Sequence, residues 1–323
     1  MKFDVITVGS GTIDLFIDPG INEKKKELCF PLGDKLVIED ITFTVGGGGT
    51  NTAVGFSRQG LKTGYIGCLG DGHNGERIIK ELKKENVNFL GVKKRGKSGY
   101  SVILTSKKEK RRTILTYKGV NDFLKVEDIN LNQIKTDWLY LSSMMNQSFK
   151  AQKEIVSWAR KNGAKIAFNP SNYQAEKGIK QLKDILKETS ILVLNKEESE
   201  LLIKKGDPVN DLRKHGPEIV CVTNGENGSK VCDGKFIYVA KASGKSKCVE
   251  RTGAGDAFAS GFVSAIIKGN TVEEAIRHGS ANAESVIESM GAKFGLLDKN
   301  QLKKRVMRDD IIIRKKKISK PQD

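Results

Sequence analysis

Thr252-Gly253-Ala254-Gly255-Asp256-Ala257-Phe258 is a glycine-rich turn that closes on an acid and runs straight into an apolar, small-residue segment. From Ala257 the run Ala-Phe-Ala-Ser-Gly-Phe-Val-Ser-Ala-Ile-Ile-Lys is helix-compatible, and it ends at Lys268-Gly269, a cation followed by a stop signal. Gly253 to Asp256 is therefore expected at a helix N-terminus. Two glycines flanking Ala254 let the backbone aim its N–H groups at one point, where the helix dipole also favours negative charge. A phosphate suits that point. Asp256 does not, unless it caps the helix, takes a proton from a ligand or faces a metal.

The 323 residues suffice for one large α/β domain or two smaller ones, and 38% hydrophobic content with 34 glycines fits a globular protein. The start, Lys2-Phe3-Asp4-Val5-Ile6-Thr7-Val8-Gly9, carries an acid in a short apolar run and reads as a strand, not a signal peptide. No apolar run approaches a membrane span. Cys29, Cys68, Cys221, Cys232 and Cys248 lack Cys-x-x-Cys spacing, and the histidines are only His73, His215 and His278. This pattern points to reduced thiols in a cytoplasm and away from a zinc site or a histidine-based triad. The net charge of +17 raises a nucleic-acid interface, but acids interleave with the lysines, as in Lys80-Glu81-Leu82-Lys83-Lys84-Glu85. A solvated lysine-rich surface is the better reading, with residues 311–323 as a basic, disordered tail.

Strand-like runs at Val5 to Val8, Gly64 to Cys68, Trp138 to Leu141, Lys165 to Phe168, Ile191 to Leu194 and Ile219 to Thr223 alternate with helical patterns such as Gln152 to Lys161 and Lys180 to Glu188. That rhythm predicts an α/β protein with a mainly parallel sheet covered by helices on both faces. Two segments break it. Lys35 to Val45 alternates like an exposed strand, and Tyr100 to Ser106 with Arg112 to Tyr117 reads as a hairpin around Lys107-Lys108-Glu109-Lys110. They are expected to form a small separate sheet, the usual form of a lid.

Other constellations are ambiguous one by one. Gly9-Ser10-Gly11 fails as a dinucleotide fingerprint because the third glycine would fall at Asp14, which instead is expected just past a strand end as a sugar-hydroxyl ligand or a plain loop acid. Gly46-Gly47-Gly48-Gly49-Thr50-Asn51 precedes a helix from Thr52 to Arg58 and lacks the lysine of a P-loop; it permits close ligand approach or is a flexible turn. Asn195-Lys196-Glu197-Glu198 fits a capping box as well as a phosphate and magnesium contact. Thr223-Asn224-Gly225-Glu226-Asn227-Gly228 is an ordinary hairpin turn or a hydroxyl and two glycines for a nucleotide.

In order and spacing, Asp14, Gly46-Gly47 with Asn51, Asn195-x-x-Glu198, Thr223-x-Gly225-x-x-Gly228 and Gly253-Ala254-Gly255-Asp256 resemble the ribokinase or PfkB family of carbohydrate and nucleoside kinases. Gly67-Cys68-Leu69-Gly70-Asp71 with Gly75, Asn169-Pro170 and Gly291-Ala292 extend the likeness over roughly residues 1 to 300. The resemblance implies a three-layer α/β/α domain over residues 1–310 with a β-sheet lid at about 35–46 and 98–119. It implies ATP and Mg2+ as cofactors and transfer of the γ-phosphate to a hydroxymethyl group. Asp256 would be the base and the amides of Gly253, Ala254 and Gly255 the anion hole. Asp14, Gly46, Gly47 and Asn51 would bind the acceptor. Asn195, Thr223, Gly225, Gly228 and Gly255, with Ser280 and Asn282 by the adenine, would bind ATP, and Glu198 would order a magnesium-bound water. A homodimer contact through the lid is also implied.

Three positions depart from the family pattern. Many members carry Asp-Thr-Thr before the anion turn and use the first two to hold a monovalent cation; Glu250 and Arg251 stand there, and a fixed guanidinium is expected to replace the cation. Ribokinases proper have lysine where Gly48 stands and a ribose-binding glutamate near Asn146, so ribose is not implied. An adenosine-type nucleoside kinase and a non-catalytic sugar-binding or regulatory protein on the same fold remain the alternatives.

Overall fold

Along the first strand, Lys2–Val8, Ile6 and Val8 face one hydrophobic layer and Val5 the other. The same split recurs along Lys135–Leu141, Lys165–Phe168 and Ile191–Asn195, which marks strands buried on both faces. A computed structural model describes residues 1–18, 23–24, 27–105, 112–308 and 311–318. Its central sheet has ten strands. The strands Val87–Phe89, Thr63–Ile66, Lys2–Val8, Lys135–Leu141, Lys165–Phe168, Ile191–Asn195 and Ile219–Thr223 lie side by side and parallel. Ser229–Cys232, Phe236–Ala240 and Ile313–Lys317 extend it antiparallel.

One face is covered by Asn146–Lys161 and Gly178–Glu188, whose Ile155, Val156, Leu182 and Ile185 recur at helical spacing and are buried. The other is covered by Gly48–Arg58, Ala254–Ile267 and Val272–Val286, which contribute Phe56, Phe258, Phe262 and Ile276. The expected three layers are present. Thr271 starts the last of these helices, accepting from Glu274 N while Glu274 accepts from Thr271 N, a capping box.

A second, four-stranded sheet runs in the order Arg112–Tyr117, Gly99–Thr105, Thr12–Asp18, Asp40–Gly46. It corrects two expectations. The strand placed from Lys35 begins only at Asp40, which pairs with Asp18, the last described residue of its partner strand. Asp14 lies inside a strand and not past the end of one: after Gly11 the chain continues extended, flanked by Gly99–Thr105 and Asp40–Gly46. The hairpin Gly99–Thr105 to Arg112–Tyr117 is present, with Lys107 to Lys110 outside the described residues.

The basic tail also departs from expectation. Ile313–Lys317 forms an edge strand on Phe236–Ala240, where Lys315 lies over the ring of Phe236 and pairs with Glu273 at 2.7 Å. Lysines on a sheet edge discourage further strand addition. Residues 319–323 lie outside the described part of the chain.

Candidate active site

Gly253 caps the helix Ala254–Ile267 in the left-handed region, at φ 83°, and a side chain there would also meet Ala292 Cβ at 2.5 Å. First-turn amides of a helix have no intrahelical acceptor. That of Ala254 makes only a 3.3 Å bond back to Arg251 O, and Gly255 borders open space, since a Cβ added to it meets nothing within 4 Å. The electropositive helix end thus borders open space at Gly255, a setting that favours an anion.

Asp256 sits in that first turn, and its Oδ2 accepts from Asn51 Nδ2 at 2.8 Å. The bond joins the anion turn to the Gly46–Asn51 motif, whose helix begins at Gly48 and not at Thr52. At this start a Cβ on Gly48 would meet Ser142 at 3.1 Å and Asp256 Oδ1 at 3.7 Å, so the first turn packs closely on both. Asn51 Oδ1 is buried without a partner, an acceptor waiting for a donor. Burial raises the Asp256 carboxyl to about 6, against the lowering effects of the Asn51 bond and Lys293; Asp14 adds to the rise.

Asp14 accepts from Thr12 Oγ1 at 2.8 Å and from the Ser101 hydroxyl on the neighbouring strand. Its carboxyl lies against Gly46, where a Cβ would fall 1.8 Å from Asp14 Oδ2, so only glycine fits. Burial raises this carboxyl as well. The loop before the helix carries Gly47, which accepts from Asn51 N at 2.9 Å. A chain of contacts therefore links Asp14, Gly46, Gly47, Asn51 and Asp256.

Asn195 and Thr223 end adjacent parallel strands and stand opposite each other in register. Glu198 N donates to Asn195 Oδ1 at 2.8 Å and Asn195 N donates to Glu198 Oε2 at 2.9 Å, so both sides of the capping box are made. This bond satisfies only part of what Glu198 can accept. The side chain is buried, and burial with the nearby Asp256 raises its carboxyl to about 7. Gly225 and Gly228 carry the turn between two antiparallel strands, closed by Asn224 N donating to Gly228 O, and Gly225 opens on space. Among the described residues no cluster of three or more His, Cys, Asp or Glu is arranged for a metal. One buried carboxylate suits a Mg2+ held mainly by phosphates and water, and the donor set fits that ion.

Asn282, expected beside an adenine, has its amide engaged within the protein. It is fully buried, donates to Ala257 O at 2.8 Å and accepts from Leu297 N at 3.0 Å, so its amide ties two helices and a loop together. Ser280, on the same helix, remains partly exposed.

Several residues escaped the motif reading. Tyr140 is fully buried, its hydroxyl has no partner, and its charge environment is set by Asp256 and Glu198. Arg112 of the four-stranded sheet approaches Glu250 at 3.5 Å, while Glu250 accepts from Thr252 N and Oγ1 at 2.6 and 2.8 Å. The guanidinium beside Glu250 is thus that of Arg112 and not the expected Arg251. Lys293 is buried behind the anion turn. The signal for Lys293 was its position after Gly291-Ala292; Tyr140 and Arg112 carried none.

Residues 4–300 match the model of the pfkB family of carbohydrate kinases. An uncharacterized sugar kinase of Archaeoglobus fulgidus is 33% identical over 251 residues, covering 75% of this chain and 98% of that protein. A 5-dehydro-2-deoxygluconokinase of Clostridium perfringens is 30% identical over 311 residues, covering 89% of this chain and 88% of the relative. In structure the chain resembles a ribokinase from Thermotoga maritima, with TM-score 0.80 and 21% identity over 94% of this chain and 99% of the other. It also resembles an adenosine kinase from Sinorhizobium meliloti, with TM-score 0.79 and 22% identity over the same shares.

Proposed function

Because the chain belongs to the pfkB family of carbohydrate kinases, we propose that Asp256 takes the proton from a primary hydroxyl of a sugar acceptor as that oxygen attacks the γ-phosphate of ATP. The observation that carries this reading is the 2.8 Å bond from Asn51 to Asp256, which puts the acceptor motif against the anion turn. Asp14 accepts hydrogen bonds from acceptor hydroxyls, and the unpartnered Asn51 Oδ1 accepts another. The amides of Gly253, Ala254 and Gly255 receive the charge of the transferred group. Asn195, Thr223, Gly225 and Gly228, aligned at the carboxyl edge of the sheet, with Ser280, line the nucleotide side. Mg2+ bound with ATP neutralises phosphate charge, and Glu198 would hold it through water.

The names of the relatives favour a keto-deoxy sugar acid such as 5-dehydro-2-deoxygluconate over a nucleoside. Ile41, Phe43, Leu115 and Tyr117 are exposed on one face of the four-stranded sheet, which favours a homodimer through that face. The free thiols of all five cysteines fit a reducing cytoplasm. ADP release is measured with 5-dehydro-2-deoxygluconate, ribose, fructose and adenosine for the wild type and Asp256→Asn. Turnover with one sugar, lost by about 100-fold or more in the variant, is expected. Unchanged turnover in Asp256→Asn sinks the assigned base, and preference for adenosine sinks the acceptor class.

A further inference from the structure

The helices Gly48–Arg58 and Ala254–Ile267 begin at the Gly46–Asn51 motif and at the anion turn; where they end, at Gln59, Gly60, Ile267 and Lys268, they border a cavity of about 480 Å3. The second helix has 14 residues, so at a rise of 1.5 Å per residue the cavity lies about 20 Å from Asp256. Its remaining wall comes from the strands Lys2–Val8 and Lys135–Leu141, through Asp4, Asp137 and Trp138, and from Lys299 at the start of the helix Lys299–Arg308. Leu61 and Trp138, both nearly buried, give it an apolar floor with Ile267.

The charges lining this cavity do not cancel. Asp4 Oδ2 accepts from Lys62 N at 2.7 Å, and Asp137 pairs with the Lys2 ammonium at 3.1 Å, so each acid already has a donor. Lys268 Nζ donates to Gln59 O, and among the described residues neither Lys268 nor Lys299 meets a carboxylate. Lys299 stands close enough to disfavour the Lys268 ammonium further, beyond the effect of burial. Lys165, over the Trp138 ring at 5.6 Å, adds another positive charge behind the floor. Two neighbouring ammoniums with no acid between them repel a cation, and a neutral ligand leaves their charge unmet.

We propose that this cavity is a binding site separate from the one around Asp256, taking a small organic polyanion whose phosphate or clustered carboxylates bridge Lys268 and Lys299 while its carbon skeleton lies on Leu61, Trp138 and Ile267. Small-molecule sites commonly measure about 300–1,000 Å3, and the cavity is of that size. Charge-assisted hydrogen bonds from two ammoniums to one anion supply the affinity, which weakens as salt is added because the cavity opens to solvent. Nothing in this binding passes through the chemistry of Asp256, so the proposal goes beyond the kinase reading and does not depend on it.

The chain has two tryptophans, so Trp158→Phe leaves Trp138, on the cavity floor, as the only indole. In that background the emission of Trp138 is followed as inorganic phosphate or citrate is added at constant ionic strength, with chloride as the reference. A saturable change is expected, and the tighter of the two anions identifies a phosphate or a carboxylate ligand. Its midpoint should rise by about fivefold or more in Lys299→Gln and in Lys268→Gln, and stay in place in Asp256→Asn. Absence of a saturable change, a change that chloride reproduces, or a midpoint unmoved by the lysine variants overturns the proposal. Lys268→Gln loses the bond to Gln59; should it not fold, Lys299→Gln, which loses no partner, decides alone. A protein that binds the anion here yet phosphorylates no acceptor keeps this site and loses the kinase reading instead.

Discussion

Asn51 and Asp256, 205 residues apart, meet through a 2.8 Å hydrogen bond from amide to carboxylate. The bond aims the carboxylate of the proposed base and opposes the rise that burial imposes on it.

A base whose carboxyl lies at about 6 must lose its proton to work, so turnover is expected to fall as pH drops through about 6. Asn51→Ala removes a lowering contact, and the acidic limb of kcat moves to higher pH. A kcat profile flat from pH 5 to 8, or an unmoved limb in the variant, contradicts this.

The same shift has a stability consequence. The folded state holds the Asp256 proton more tightly than the unfolded chain, whose ordinary value is 3.8, so this group's contribution declines as pH rises from about 4 through about 6. Asp256→Asn is therefore expected to melt higher than the wild type at pH 8 and to lose that advantage near pH 4. Thermal melts at the two pH values check it.

The two turn glycines separate fold from catalysis. Gly253→Ala must adopt φ near 83° against Ala292, at a cost on the order of 1–3 kcal/mol that denaturant melts will register. Gly255→Ala has open space before it, so its melting point should hold or rise, while kcat falls because the methyl occupies the phosphoryl cradle. Full activity in a folded Gly255→Ala enzyme would remove the cradle.

Glu198 caps its helix and, in the proposed reading, also holds Mg2+ through water; substitution separates the two roles. Glu198→Gln keeps an oxygen for Asn195 N and should leave the melting temperature nearly unchanged while raising the Mg2+ concentration needed for half-maximal rate. Glu198→Ala loses the cap as well, about 1 kcal/mol of stability. Identical Mg2+ dependence in all three proteins would leave Glu198 a cap alone.

Glu250 already holds Thr252 and faces Arg112 of the four-stranded sheet. Its charge is met by a guanidinium, so rates in potassium and tetramethylammonium salts at equal ionic strength should agree within about twofold, since a charge met within the protein leaves little for an added cation to stabilise. Stimulation of tenfold or more by potassium would show a cation competing with Arg112.

Much of the fold was legible because its determinants are local. Buried parallel strands read as apolar runs, covering helices show their recurring Leu182 and Ile185, and the turn at Gly253 must be glycine wherever it lies in space. The capping pair Asn195 and Glu198 was legible for the same reason, since its partners are three residues apart. Asp14 was misplaced because a strand held by neighbours on both sides needs no strong pattern of its own, and the tail at Ile313–Lys317 was misplaced because a lysine-rich edge strand looks like a solvated run. Sequence alone thus determined the helix-end anion turn, the order of the motifs and the layered α/β architecture. Only the tertiary structure decided that Asn51 holds Asp256, that Arg112 meets Glu250, that Asn282 is a tie within the core and that Lys293, one of the chain's many lysines, is buried with its ammonium on Val45 O and Glu81. These relations depend on contacts between residues far apart in the chain, and such contacts leave no periodic trace in the residues that make them.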